Sequence, residues 1–365
     1  MRRLAVHVGV LALILACVPA AVASSQPELQ RVLDTALGEQ PVSPGMTAAV
    51  ERPGMRWRGA AGVLDRARGS PLRASDSYRI ASITKTFTSA AILRLAERGR
   101  LTLGAPVARY LPVAYRRALR ADGYEPGRIT VRMLLQHTAG LFDYAAADAY
   151  LKALLADPGH RWSRIEQLRF AMANGEPVAP PGRSYSYSDT GYILLGQIVE
   201  SVSGRPQATA YRRLLHFGRL GVGATYFETL EPKPRGAGRQ AHQYFGELDT
   251  TRVLDPSHDL YGGGGLVSTA ADLNRFYRAL FEGRVISRRN LRVMTSPSRQ
   301  SGRARYAMGI QGISTAAGTC YGHGGFWGSL TVYCPRHKLA ISVTVNAASP
   351  GDPEAVVQRL AEIAG

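Results

Sequence analysis

The sequence predicts an α+β fold, an α/β sandwich whose antiparallel sheet is built from both chain ends, flanked by helices and interrupted by an all-helical insertion. Three observations predict it. A helical pattern and two short strand-like stretches open the chain. A long middle block then carries helical periodicity, with loops at Pro and Gly clusters. The C-terminal stretch returns to strand-like segments at hairpin distances and closes on a helix. At 365 residues there is room for one large domain or two subdomains. The expected division is a leader over 1–23 and a domain over 24–365. Within that domain, 24–100 plus 253–365 form the α/β subdomain and 101–252 the helical one.

Each element has its own justification. Residues 27–40 place Leu29, Val32, Leu33, Ala36 and Leu37 along one helix side. Residues 46–51 and 56–63 read as strands joined at Pro53-Gly54. A helix starts at Ser82, carries Phe87, Ala91 and Leu95 four residues apart, and ends near Gly99 with Arg98 in its last turn. Residues 191–203 form an apolar-periodic helix stopped by Gly204, and the Pro/Gly-rich 231–238 is a surface loop. Four glycines, 262–265, let backbone pass close beside the sheet. Residues 271–282 follow as a helix. Strands are expected over 306–310, 319–324, 330–334 and 339–345, and a final helix over 353–363.

Met1-Arg2-Arg3, the apolar run 4–18 and Ala21-Val22-Ala23 form a secretory leader cleaved after Ala23. The run is short for a bilayer span, so no stable membrane anchor is expected. Ile14-Leu15-Ala16-Cys17 offers lipid attachment at Cys17 as the alternative. The expected location is secreted or periplasmic. Removal of the leader leaves Cys320 and Cys334, an even count that suits a disulfide in an exported protein. The spacing supports it: a hairpin centred on Trp327 sets the two cysteines opposite each other, within bridging reach.

The formal net charge is +18. Only Lys85, Lys152, Lys233 and Lys338 are lysines, so nearly all of the 45 basic residues are arginine. That uniform skew reads as compositional bias, with Arg116-Arg117-Arg120 and Arg288-Arg289-Arg292 as solvated helix faces. Charge alone would permit nucleic-acid binding, but export excludes it as an expectation. Attraction to anionic envelope polymers or lipid headgroups is the natural consequence.

Chemistry concentrates around Ser82-Ile83-Thr84-Lys85. A helix starting here puts Ser82 in its first turn and Lys85 three residues on, so the two side chains share a face. A serine hydroxyl is a poor nucleophile until its proton is taken, and the helix N-terminus adds partial positive charge where an oxyanion would form. A free lysine, with a pKa of about 10.4, must be desolvated or set near another cation to act as a base. Further on, Tyr187-Ser188-Asp189 precedes a helix, and His323-Gly324-Gly325-Phe326 sits at a strand end.

These stretches resemble the serine β-lactamase and D-alanyl-D-alanine carboxypeptidase superfamily, in its class C β-lactamase and esterase branch. The resemblance rests on Ser82-Ile83-Thr84-Lys85, on Tyr187-Ser188-Asp189 in place of Tyr-x-Asn, and on His323-Gly324-Gly325 in place of Lys-Thr-Gly. It extends to the segments 134–141, 191–196 and 264–269, and covers about residues 28 to 364. It implies a β-lactamase/transpeptidase-like fold and acyl transfer through an acyl-enzyme on Ser82. Lys85 and Tyr187 would share proton transfer, a phenol between two cations ionising below its usual value of about 10. The oxyanion hole would be the N–H groups of Ser82 and Phe326, with Gly324 and Gly325 shaping it. His323 would orient Tyr187 or bind a substrate carboxylate.

Two departures matter. A histidine at 323, unlike lysine, is largely neutral at pH 7, so carboxylate recognition would weaken as pH rises. Asp189 can only accept hydrogen bonds where asparagine also donates. It therefore disfavours acylamino recognition and β-lactam hydrolysis, and favours a substrate with a free amine. No histidines stand at metal-ligand spacing and no phosphate loop or Gly-x-Ser-x-Gly elbow is present, so no metal or cofactor is expected. His137 is expected to brace a loop beneath the site. The expected activity is an exported serine hydrolase of a small-molecule or peptide substrate, such as a D-Ala-D-Ala peptide, a D-amino acid derivative or a small ester. The alternatives are a non-catalytic penicillin-binding sensor on the same fold and a true β-lactamase. Oligomeric state is left open.

Overall fold

A computed structural model of the chain describes residues 20–348 and 352–365, with side chains from residue 25 onward. The expected leader therefore lies outside the described residues up to residue 19, as does Cys17. Among the described residues no helix is long and apolar enough to cross a membrane.

Helix α1, Ala20–Glu39, leads into the hairpin β1, Gly45–Arg52, and β2, Met55–Gly62. After Tyr78–Arg79, the 3-10 turn Ala81–Ile83 runs into α2, Thr84–Glu97. The middle of the chain is mainly helical and includes α3, Asp148–Ala156, and α4, Asp189–Ser203. Helix α5, Ala270–Phe281, precedes β3, Gln311–Thr315, β4, Gly318–Gly325, β5, Ser329–Cys334, and β6, Leu339–Thr344. Helix α6, Pro353–Ala364, closes the chain.

The six strands form one sheet in the order β2-β1-β6-β5-β4-β3. Its centre joins the two chain ends: β1 pairs antiparallel with β6, Val50 opposite Ile341. Helices α1 and α6 cover one face, where Leu29, Leu33, Val356 and Leu360 pack on Met46, Val50, Ile341 and Val343. Burying each such side chain contributes about 1.5–3 kcal/mol. Helix α5 covers the other face. Its buried Asn274 donates to the carbonyls of Ala49 (2.9 Å) and Ala340 (3.2 Å) and accepts from Ser342 Oγ (2.7 Å), so the polar group satisfies the sheet it lies on. Phe276 of α5 stacks on Phe87 of α2 at 3.7 Å between centroids, linking the sheet layer to the helix that carries Lys85.

The hairpin register sets Tyr333 opposite Tyr321, and one step on Cys320 and Cys334 are joined as a disulfide. Three expectations are corrected. Helix α1 begins before Pro27, the alanine-rich stretch ahead of it having high helix propensity. Residues 306–310 are not a strand: Gly309 takes φ +64° to pass against the Lys85 carbonyl, and the edge strand starts at Gln311. Of the four glycines, Gly262 and Gly263 lie against α4, where a Cβ on Gly262 would sit 2.8 Å from the Tyr192 carbonyl. Gly264 and Gly265 lie against Asp259 and Leu260, just ahead of the short strand Leu266–Ser268, so the close approach the run allows is to these segments and not to the six-stranded sheet.

Candidate active site

Ser82 sits at a forced turn. Tyr78 and Arg79 pair with Ser268 and Val267, the Ile80 N–H donates to the Leu266 carbonyl (2.9 Å), and Ala81 then adopts φ +43°, unusual for a non-glycine residue. From the other side β4 presses in: a Cβ on Gly325 would collide with the Ile80 carbonyl and Ser329 Oγ. The end of the sheet is thereby brought against the turn that presents Ser82. As the second residue of a helical turn, Ser82 has an N–H of the kind that helix starts leave unpaired.

Lys85, fully buried in the first turn of α2, donates to Ser82 Oγ at 2.8 Å, to the Gly263 carbonyl at 2.9 Å and to the Asp189 carboxylate. Three donors meet three acceptors, which is the complement of an ammonium. Its Nζ also lies 5.0 Å from the Tyr187 ring centroid. The glycine run has its purpose here: a Cβ on Gly263 would meet Asp189 at 2.5 Å, and one on Gly264 would strike Asp259.

Tyr187 is brought to Ser82 by a loop folded over His137. Ser186 N–H donates to the His137 carbonyl (2.9 Å) and Ser188 N–H to its Nδ1 (3.0 Å), while the imidazole lies 4.2 Å from the Tyr187 ring. His137 thus braces the loop beneath the site. The expectation that the Tyr187 phenol ionises easily is corrected. Burial and the Asp189 carboxylate raise it well above its ordinary value, against the opposing hydrogen bond with Ser82.

His323 lines the same cavity as Ser82, but its expected charge is also corrected. Burial and the Lys85 ammonium push its pKa down to about 3, so the ring is neutral. Its Nδ1 lies 2.6 Å from the Gly324 carbonyl, which only accepts, so Nδ1 carries the proton. Nε2 then accepts from the Tyr306 hydroxyl at 3.0 Å. A neutral imidazole with both nitrogens occupied offers no cation to a substrate carboxylate, and it leaves Tyr187 beside one cation instead of two.

Asp189 caps this arrangement from the start of α4. Its own N–H donates to Asp143 Oδ1 at 3.0 Å. Sequence reasoning passed over Asp143 and Asp259, which with Asp189 line the cavity. Burial and the charge of Asp189 push Asp143 and Asp259 each up to about 7. The glycine run was the available signal, since glycines opposite a helix N-terminus leave room for carboxylates. Tyr306 was also passed over, hidden inside an expected strand.

The cavity measures about 950 Å³ and widens into an apolar lobe formed by Leu151, Leu154 and Leu155 on and beside α3, with Leu254. Phe326 is exposed at its mouth and stacks on Phe245 at 6.2 Å. Gly324 and Gly325 line it at the strand end. Among the described residues no group of three or more His, Cys, Asp or Glu side chains could hold a metal ion.

The beta-lactamase family model matches residues 31–365. Esterase EstB of Burkholderia gladioli is 32% identical over 71% of this chain and 70% of its own length. A D-stereospecific amidohydrolase from Streptomyces sp. superposes with a TM-score of 0.79 at 30% identity, covering 91% of this chain and 97% of that one. The D-amino acid amidase from Ochrobactrum anthropi SV3, complexed with D-phenylalanine, shares the fold at TM-score 0.79 and 24% identity, over 93% and 98% of the two chains.

Proposed function

The chain belongs to the beta-lactamase family, and we propose that this serine hydrolase forms its acyl-enzyme on Ser82 from an amide or ester whose acyl part carries a free amino group. The observation that carries the proposal is the 2.8 Å contact between buried Lys85 Nζ and Ser82 Oγ, where Ser82 lines a cavity together with Tyr187 and the carboxylates of Asp143, Asp189 and Asp259. Asp189 pairs with Lys85, so Asp143 and Asp259 are the carboxylates open to a second cation. His258 supports them. Its Nδ1 lies 2.8 Å from the Asp255 carbonyl, and its buried Nε2, an acceptor in that tautomer, has no partner among the described residues. The Streptomyces relative is named for D-stereospecific amide hydrolysis, and the leucine lobe suits an apolar side chain on such a substrate.

The amine also answers how Ser82 is activated. Lys85 donates at once to Ser82 Oγ, the Gly263 carbonyl and Asp189, so taking the serine proton requires one of these contacts to loosen. A substrate ammonium among the aspartates competes with Lys85 for Asp189 and so loosens that contact. In its neutral form Lys85 accepts the proton of Ser82 as the oxygen attacks the carbonyl. The Tyr187 phenol passes its proton to the leaving nitrogen or oxygen and regains one from Lys85, which holds the proton taken from Ser82, so no buried phenolate remains. The N–H groups of Ser82 and Phe326 receive the oxyanion, each contributing about 2.7–4 kcal/mol to lowering the barrier. Export through the 1–23 leader, an envelope-derived substrate and the two-subdomain division belong to the same proposal; the Cys320–Cys334 bridge supports an oxidising compartment.

Turnover of D-phenylalanine p-nitroanilide against its N-acetyl form tests the reading, with intact-mass detection of the acyl-enzyme. The free amine is expected to be preferred about 100-fold or more. Equal turnover of the acetylated compound sinks the amine site, and undiminished turnover by Ser82→Ala sinks the nucleophile.

A further inference from the structure

A second cavity, of about 240 Å³, shares no lining residue with the first. Five arginines converge on it: Arg56 and Arg58 from β2, Arg275 and Arg278 from α5, and Arg284 just beyond that helix. The sheet explains how they meet. Along β2 the buried residues Met55, Trp57 and Gly59 alternate with exposed Arg56 and Arg58, so both guanidiniums project from the face that α5 covers. Because β2 is the sheet's edge, the helix leaves a gap there, and the arginines of both elements line it.

Its charge is not balanced. Glu51, the one carboxylate that lines the cavity, holds Arg56 (2.9 Å) and Arg278. Asp272 holds Arg275, and Glu282 holds Arg284 (2.6 Å) and reaches Arg278 (3.5 Å). Three carboxylates therefore face five guanidiniums. Arg58 has no carboxylate partner among the described residues, and Arg278 Nε is buried without a hydrogen-bond acceptor. Compositional bias accounts for arginines spread over helix faces, and those at 116, 117, 120, 288, 289 and 292 line neither cavity. It does not account for five brought together from two elements against their mutual repulsion.

We infer that this cavity binds a phosphate group carrying at least two negative charges, on a soluble phosphate ester or an anionic lipid headgroup, independently of the chemistry at Ser82. Planar guanidinium forks match phosphate oxygens two at a time, and the anion relieves the repulsion that the empty cluster bears.

Calorimetric titration of the whole protein with inorganic pyrophosphate, at ionic strength matched with sodium chloride, tests it. Saturable binding is expected, with Kd rising roughly tenfold in Arg58→Ser, the loss of a charge-assisted contact. Arg58 is exposed and unpaired, so that variant keeps the fold, and Arg116→Ser on a separate helix should bind as the parent does. Absence of saturable binding overturns the inference, and so does equal affinity in Arg58→Ser. Pelleting with vesicles containing phosphatidic acid, whose phosphomonoester headgroup can carry two charges, supports a lipid source if it is lost in Arg58→Ser. Pyrophosphate binding without pelleting supports a soluble one.

Discussion

At the scale of single residues, Asp189 decides most. Its carboxylate binds the Lys85 ammonium, repels Asp143 and Asp259, and adds to the burial that raises the Tyr187 phenol. Asn in its place would still accept from Lys85 while offering an N–H to a substrate carbonyl. Asp189→Asn is therefore expected to raise the rate of penicillin acylation about tenfold, the worth of one added neutral hydrogen bond. Free-amine substrates should lose ground in the same variant. Stopped-flow acylation with a reporter penicillin measures it, and an unchanged or slower rate would refute this role. The meeting of Ser82 and Lys85 was legible in their three-residue spacing. The state of His323 was not: its neutrality comes from burial against Tyr306 and Lys85, which are remote in sequence.

At the scale of elements, the β4–β5 hairpin does two jobs. It holds Gly325 against the turn that presents Ser82, and it carries the Cys320–Cys334 bridge across the same pair of strands. Closing a loop of this length stabilises by about 3 kcal/mol in chain-entropy terms. Reduction should thus lower the melting temperature by several degrees, read by calorimetry with and without a phosphine reductant; an identical melt would count against any contribution from the bridge. The register that opposes the cysteines was legible, because a hairpin centred on Trp327 sets it by counting. The 306–310 stretch was misread because apolar content looks alike in a strand and in a loop buried against α2. Only Gly309, which needs positive φ beside Lys85, distinguishes them.

At the scale of the whole molecule, buried charge should make stability depend on pH. Asp143 and Asp259 titrate near 7 in the folded protein, above the unfolded value of about 3.9. The folded state therefore binds more protons between those limits. The stabilisation these groups contribute is complete below about pH 4 and lost as pH rises through 7. A bound amine favours the ionised carboxylates and should oppose that loss. The melting-temperature increment from D-phenylalaninamide is to be measured on Ser82→Ala and below the titration of the ligand's own amine at about 7.7–8.0. It is expected to grow from pH 5 to pH 7, and a constant increment would exclude the two aspartates as its partners. The sequence by itself determined the α+β class, the joining of both chain ends in one sheet and the segments that supply Ser82, Lys85 and Tyr187, because periodicity and short spacings are local properties. Tertiary structure alone decided which protons those groups hold and that the arginines of β2 and α5 share a cavity. Protonation answers to burial and to neighbouring charge, and both are set by residues that meet only when the chain has folded.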